Sequence, residues 1–355
     1  MEQLYHVIGI MSGTSLDGVD LAYCEFRCNE NRWHYAIIEA VTCPYPLGWP
    51  EKLRQLETGS ALDLAKTHNE LGRLYGSMVA SFIETHRLKP LFIASHGHTI
   101  FHQPGNGFTT QIGDGAAIAA KCGLPVINDF RSMDVALGGQ GAPLVPMGDR
   151  LLFSDFDYCL NIGGFANISY EKSGKRLAYD VCPANIVLNE LAQSSGKAYD
   201  NDGNIARQGR IDEKLLNALN GLNYYKISPP KSLGREWLCA EFLPMLHESK
   251  RRLEDNMATV VEHIATQIGA AVTGNSNGKL LLTGGGAYNN FLVERIRFHS
   301  NAQIIVPDAL TVEFKEALIF AFLGVLRWRN ENNGLSSVTG ARADSCGGAV
   351  YSGNR

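Results

Sequence analysis

With 355 residues, 45% of them hydrophobic and 19% charged, the chain has the length of about two domains and the composition of a globular protein with a sizeable core. Its net charge of −4, from 32 basic and 36 acidic residues, excludes the cationic footprint of a nucleic-acid or anionic-membrane binder. The first residues lack a basic segment followed by an apolar one, and the longest apolar run, Ala317 to Leu326, is far short of the ~20 residues that cross a bilayer. Eight scattered cysteines with no Cys-x-x-Cys pair read as small core residues in a reducing compartment, so the expectation is a cytoplasmic protein.

In chain order, Val7–Met11, Val19–Phe26 and Tyr35–Thr42 are rich in β-branched and aromatic residues and predict three strands. Apolar residues at helical spacing predict a helix over 61–88. A buried strand over Leu91–Ser95, a further strand over Thr109–Ile112, a helix over Ala116–Lys121 and a strand over Pro125–Asn128 follow. The second half repeats the plan with strands at Tyr158–Ile162, Ala166–Tyr170 and Arg176–Val181. Helices are expected near Ala184–Ser194, Glu213–Leu219 and Met257–Thr273, then a strand at Leu280–Thr283. A helix near Phe291–Arg297, a strand at Ile304–Val306 and a helix near Val312–Arg329 complete it.

Each half thus opens with a three-strand meander whose first turn is Gly-rich. This reads as α/β architecture with two related β-β-β-α-β-α lobes, 1–135 and 136–355, and a cleft between them. The Gly- and Pro-rich segment Ala136–Pro146 is the expected crossing, and the C-terminal segment is free to return to the first lobe.

The richest segment is Gly9–Phe26, in which an apolar run enters the turn Ser12-Gly13-Thr14-Ser15-Leu16-Asp17-Gly18 and a second apolar run leaves it. Glycines admit close approach of main-chain N–H groups, hydroxyls donate, and carboxylates such as Asp17 and Asp20 hold a cation through water. A long hairpin turn of no further function is the plain alternative. Gly163-Gly164 and Gly284-Gly285-Gly286 also follow strands, where open α/β sheets place ligands. Neither a P-loop nor a Gly-x-Gly-x-x-Gly dinucleotide fingerprint is present. Three such turns on a duplicated plan point to an actin-like ATPase or sugar-kinase fold.

Other constellations are open between two readings. His96, His98 and His102 are metal ligands or hydrogen-bonding loop residues. Arg131 and Asp134 form a salt bridge on one helical turn, or Arg131 grips a carboxylate or phosphate. Asp180, before Pro183 and Asn185, caps a helix or projects as a general base. Glu316 opens a helix, where acidic residues are common.

Taken together, Met11-Ser-Gly-Thr-Ser-Leu-Asp-Gly-Val-Asp20, Arg131-x-x-Asp134 with the Gly-rich run to Pro146, Asn161-Ile-Gly-Gly-Phe-Ala-Asn-Ile-Ser169 and Thr339-Gly-Ala-Arg342 resemble the anhydro-N-acetylmuramic acid kinase family over residues 8 to about 350. The resemblance implies an actin-like (ribonuclease H-like) fold and an ATP-dependent sugar kinase in cell-wall recycling. Such an enzyme opens the 1,6-anhydro ring with water and phosphorylates the freed O6. It implies catalytic roles for Asp180 and Glu316. ATP contacts are implied at Gly13, Thr14, Ser15, Leu16, Asp17, Gly18, Val19, Asp20, Gly163, Gly164, Asn167, Gly284, Gly285 and Gly286, with Mg²⁺ near Asp17 and Asp20. Sugar contacts are implied at Ser12, His96, His98, Thr99, Arg131, Asp134, Pro183 and Asn185, and a homodimer is expected.

Two departures stand out. Val181-Cys182 replaces the family's Thr-Gly after the catalytic Asp, and His98 replaces a Gln, with Phe101 in place of an Arg. The competing readings are an amino-sugar kinase of altered substrate, a catalytically quiet ATP-binding regulatory protein, and a metallohydrolase built on the three histidines.

Overall fold

The structure is a computed structural model that describes every residue except 1–2, 14–15, 31, 250, 273–277 and 354–355. The chain divides into two compact units, 1–152 with 314–355 and 153–313.

In the first unit, strands β1 (Gln3–Met11), β2 (Val19–Asn29) and β3 (Arg32–Cys43) form the expected antiparallel meander. A short helix α1 (Trp49–Gln55) precedes the long α2 (Ala61–His86). Helix α2 begins at a capping box in which Ser60 and Asp63 satisfy each other's backbone N–H. Its buried face carries Leu71, Tyr75, Val79 and Phe82, the spacing that keeps one stripe on the core. Strand β4 (Phe92–Ser95) adds to β1 in parallel. A hairpin of β5 (His98–Gln103) and β6 (Phe108–Ile112), helix α3 (Gly115–Cys122) and the parallel strand β7 (Val126–Asn128) follow. Gly72 lets α2 and the start of α3 touch, since a Cβ there would stand 2.5 Å from the Asp114 carbonyl. Helices α4 (Ser132–Ala136) and α5 (Val145–Leu152) close this stretch.

The second unit repeats the layout. Strands β8 (Tyr158–Ile162), β9 (Phe165–Lys172) and β10 (Lys175–Pro183) form the second meander. Helices α6 (Asn185–Gln193), α7 (Glu213–Asn220), α8 (Arg235–Trp237), α9 (Leu243–Glu248) and α10 (Leu253–Ala271) come next, with a π turn at Leu238–Phe242. Strand β11 (Lys279–Thr283), helix α11 (Asn290–His299) and strand β12 (Gln303–Ile305) complete it, β11 lying parallel to both β8 and β12. The core packs Leu160, Ile162, Ile168, Leu280 and Leu282 against Val260, Ile264 and Ile268 of α10.

Helix α12 (Ala309–Trp328) carries the chain back to the first unit, with non-helical dihedrals at Phe314. Helix α13 (Ser336–Thr339) and strand β13 (Ala349–Tyr351), antiparallel to β7, follow. Alternation along β1 places Ile8 and Ile10 in one cluster with α2 and turns Gly9 to α12, where a Cβ would sit 2.0 Å from the Ala317 carbonyl. Helices therefore cover both faces of the first sheet.

The strand orders are β13-β7-β4-β1-β2-β3 and β10-β9-β8-β11-β12. A meander joined to two parallel strands recurs in both, which is the duplicated α/β plan of actin-like, ribonuclease H-like proteins. Two expectations change. His98 and His102 lie on β5 rather than in a loop, because the chain turns at Gly97 (φ +78°) straight into a hairpin. The division falls after Leu152, not after residue 135. The reason is that α5 packs on the returning α12, where a Cβ on Gly148 would meet Ile319 at 2.6 Å.

Candidate active site

Each unit carries its own set of polar residues at strand ends. In the first, β1 and β2 flank the turn 12–18, of which Thr14 and Ser15 lie outside the described residues. Leu16 takes a left-handed φ of 61° and its amide reaches the Gly13 carbonyl. Gly18 is obligatory: a Cβ there would be 2.5 Å from the Thr42 methyl. Val19 is buried and pairs with Cys43. Asp20 accepts a 2.6 Å hydrogen bond from the Thr42 hydroxyl, which fixes the carboxylate at the mouth of the hairpin.

Ser12 is 2% exposed, and its hydroxyl is hydrogen-bonded to the Tyr45 hydroxyl at 2.6 Å and to His98 Nδ1 at 2.9 Å. Tyr45 in turn meets Tyr75 of α2 at 3.0 Å. This buried chain ties the turn to helix α2 and strand β5. Burial pulls the His98 pKa down to about 4, so the ring is neutral at pH 7. Thr99 accepts from Gln111 across the hairpin at 3.3 Å.

His96 joins a second network. Its Nδ1 contacts the Gly97 carbonyl at 3.0 Å. Since a carbonyl only accepts, that nitrogen carries the proton, and Nε2 accepts from Arg131 Nε at 3.0 Å. Burial and the Arg131 charge hold His96 far below its usual pKa. Arg131 also donates from Nη1 to the Gly141 carbonyl at 2.6 Å. Burial lowers its pKa to about 10, opposed by Glu316 and Asp134, and it remains a cation. His102 is committed elsewhere, to Thr109 at 3.2 Å. The three histidines therefore have separate partners, and no cluster of three or more metal-binding side chains exists among the described residues.

Asp134 is 1% exposed and receives Gly141 N–H and the Thr339 hydroxyl, each at 2.7 Å. It locks the Gly-rich loop to the Thr339-Gly-Ala-Arg342 segment. Gly139 fits against it only without a side chain, since a Cβ would lie 2.2 Å from Asp134 Oδ2. Glu316, on α12, is reachable by solvent yet recessed among protein atoms. That surrounding raises its pKa, Arg131 and Lys315 pull it down, and Asp20 adds to the rise.

In the second unit, Asp180, Asn167, Asn161 and Thr283 stand in register across β10, β9, β8 and β11, and in-register neighbours share one face of a sheet. Asp180 is half-buried. Burial raises its pKa, and a 2.9 Å hydrogen bond from the Leu233 amide to Oδ2 lowers it. Beside this row lie the two Gly-rich turns. The carbonyls of Gly163 and Gly164 accept from the amides of Ala184, Asn185 and Ile186 at 2.8–3.1 Å, so this turn caps helix α6 behind Pro183. Asn185 donates from its side chain to the Ile162 carbonyl at 3.2 Å. Gly284 (φ +81°) and Gly286 press on β8, where added Cβ atoms would come within 2.7 and 2.2 Å of Ile162. Gly285 is exposed, with Asn185 the nearest neighbour of its would-be Cβ at 3.7 Å.

The sequence reading missed Asn161, Thr283 and Leu233. Asn161 opens a quoted motif and could have been found by strand alternation. Leu233 contributes a backbone amide and carries no residue signal at all.

The profile of the anhydro-N-acetylmuramic acid kinase family matches residues 5–353. The chain is 37% identical over 374 residues to an anhydro-N-acetylmuramic acid kinase of Vibrio vulnificus (strain CMCP6), covering 99% of each. It is 38% identical over 363 residues to one of Sulfurovum sp. (strain NBC37-1), covering 97% of this chain and 98% of the relative. A ROK family glucokinase from Streptomyces griseus, in complex with glucose and AMPPNP, aligns over 90% of this chain and 98% of its own, at 11% identity and a TM-score of 0.39.

Proposed function

The chain belongs to the anhydro-N-acetylmuramic acid kinase family, and from that premise we propose how its own residues carry out the reaction. It is an ATP-dependent sugar kinase of peptidoglycan recycling. The sugar is 1,6-anhydro-N-acetylmuramic acid, and the products are N-acetylmuramic acid 6-phosphate and ADP.

Asp180 is the general base. Its Oδ2 is engaged by Leu233, which leaves Oδ1 to take a proton from water as the water oxygen bonds to C1 and the C1–O6 bond breaks. The electron pair of that bond stays on O6, which attacks the γ-phosphorus of ATP, and ADP leaves. The proton on Asp180 passes to solvent at product release. The observation that carries this reading is the family match over 5–353 together with a half-buried carboxylate that, among the described residues, has a single oxygen engaged.

The turn 13–20 binds ATP phosphate through backbone N–H groups, and in the second unit the turn 163–164 and Asn167 are further ATP contacts. Gly284, Gly285 and Gly286 let the adenosine lie against bare backbone. Arg131, held by His96 and Gly141, presents its remaining N–H donors to the sugar, and Glu316 orients a sugar hydroxyl. Ser12, His98, Thr99, Pro183 and Asn185 shape the sugar site. Asp134 supports it through Gly141.

Asp17 and Asp20 are hard oxygen donors of the kind Mg²⁺ takes in company with water and phosphate oxygens, and Mg²⁺ would supply charge neutralisation there. We further infer a cytoplasmic homodimer. Family membership supports the dimer. The eight cysteines, scattered with no Cys-x-x-Cys pair, suit a reducing compartment, and no helix among the described residues is long and apolar enough to cross a membrane.

Incubation with ATP, Mg²⁺ and the anhydro sugar in isotopically labelled water tests the reading. ADP is expected to form with the sugar present, and label is expected at C1 of the product. No ADP above the sugar-free background, or label absent from C1, defeats it.

A further inference from the structure

Strand β10 is the outer strand of its sheet, so the backbone groups on its far side have no ladder partner. The register with β9 also shifts between Asp180 and Cys182, a bulge of the kind that re-aims a side chain. At this point a strap of chain, residues 224–233, lies along the edge. The Asp180 amide donates to the Lys231 carbonyl at 3.4 Å, and the Tyr224 hydroxyl donates to the Asp180 carbonyl. The Leu233 amide then reaches round to Asp180 Oδ2 at 2.9 Å. Three hydrogen bonds from one strap converge on one residue.

The strap is closed on itself. Lys231 Nζ donates to the Tyr224 carbonyl at 3.1 Å, and its ammonium stands 4.5 Å from the Tyr224 ring centroid and 5.6 Å from that of Tyr179. Behind it, Tyr224 packs on Trp237 with centroids 5.4 Å apart, and Tyr225 is hydrogen-bonded to buried His263 at 2.8 Å. Such a backing costs the strap its freedom before any ligand arrives, which is what a positioning element needs.

We infer that the 224–233 strap is the positioning element of Asp180: it fixes the backbone and occupies Oδ2, so that Oδ1 alone is presented as the proton acceptor. Tyr224 and Leu233 are positioning residues in this scheme, and neither touches the reacting atoms. The inference rests on the assignment of Asp180 as base for its catalytic meaning, but not for its structural content. Two titratable side chains near the carboxylate, Tyr224 and Cys182, are both driven further up by the Asp180 charge.

The test is the Tyr224→Phe variant of the full chain, with Trp237→Leu, which removes the packing behind Tyr224 and no charge, as a second way to loosen the strap should the first melt. The Asp180 carboxyl is titrated by NMR in the ligand-free protein, its signal assigned by its loss in Asp180→Asn. The titration midpoint is expected to rise by roughly half a pH unit or more as the Leu233 hydrogen bond lengthens. The same variant should lose roughly tenfold or more in kcat, the scale of loss that a small misplacement of a catalytic group causes, with KM for ATP unchanged. An unmoved Asp180 titration in a folded variant overturns the inference, whatever kcat does. A moved titration in a protein whose Asp180→Asn variant still turns over leaves the strap's role standing and removes Asp180 as the base.

Discussion

Thr339 donates its hydroxyl to Asp134 Oδ1 at 2.7 Å across 205 residues of chain. The partner oxygen of that carboxylate holds Gly141, whose carbonyl holds Arg131. A residue near the C-terminus thereby helps to aim a cation that the loop after β7 provides. Thr339→Val removes a donor from a buried charge and should cost about 1–3 kcal/mol of stability, read by urea denaturation. It should also raise KM for the sugar with KM for ATP unchanged, because the loop under Arg131 loosens. Equal rises in both constants would remove Arg131 from the sugar side.

Asp180→Asn keeps the shape and the Leu233 contact but cannot accept the proton. Turnover should fall by roughly 10²-fold or more, while ATP binding, followed by titration calorimetry, stays near normal. Burial raises the Asp180 pKa, and a base works only when deprotonated. The acid limb of kcat/KM should therefore lie above the ordinary carboxylate range, with activity falling as pH is lowered through it. A limb near pH 4 would contradict the assignment.

Burial lowers His96, takes His98 to about 4 and takes His263 to about 3. In the unfolded chain each titrates at roughly 6.5. Between these values the unfolded state binds more protons, so stability is complete above the unfolded pKa and is lost as pH falls toward the folded one. Each group contributes a slope of about 1.4 kcal/mol per pH unit inside its window. Unfolding free energies measured from pH 7 to 5 should fall, and His98→Gln should flatten that slope by roughly 1 kcal/mol per pH unit. An unaltered slope would mean that His98 is charged in the folded protein.

Gly284 and Gly285 offer a clean contrast. Gly284→Ala forces a side chain into a left-handed residue 2.7 Å from the Ile162 carbonyl, and should lower both stability and ATP affinity. Gly285→Ala has room and should leave stability within about 0.5 kcal/mol. It should still weaken ATP binding if adenosine lies on that backbone. Thermal melting with ATP titration separates the two, and unchanged ATP affinity in Gly285→Ala would clear the third turn of a binding role.

The two meanders, the long helices and the Gly-rich turns are legible in the amino-acid pattern. These are local matters: β-branched runs alternate, Leu71, Tyr75 and Val79 recur at helical spacing, and glycines cluster where predicted strands end. The same pattern also carries the family, through long contiguous motifs. The membership of 314–355 in the first unit emerges from the folded chain. The folded chain alone shows that Ser12 spends its hydroxyl on Tyr45 and His98, and that a strap near residue 230 holds Asp180. Those relationships join atoms 33 to 86 residues apart. Two of them run through a backbone amide or carbonyl, groups that nearly every residue possesses and that therefore leave no mark in the amino-acid code.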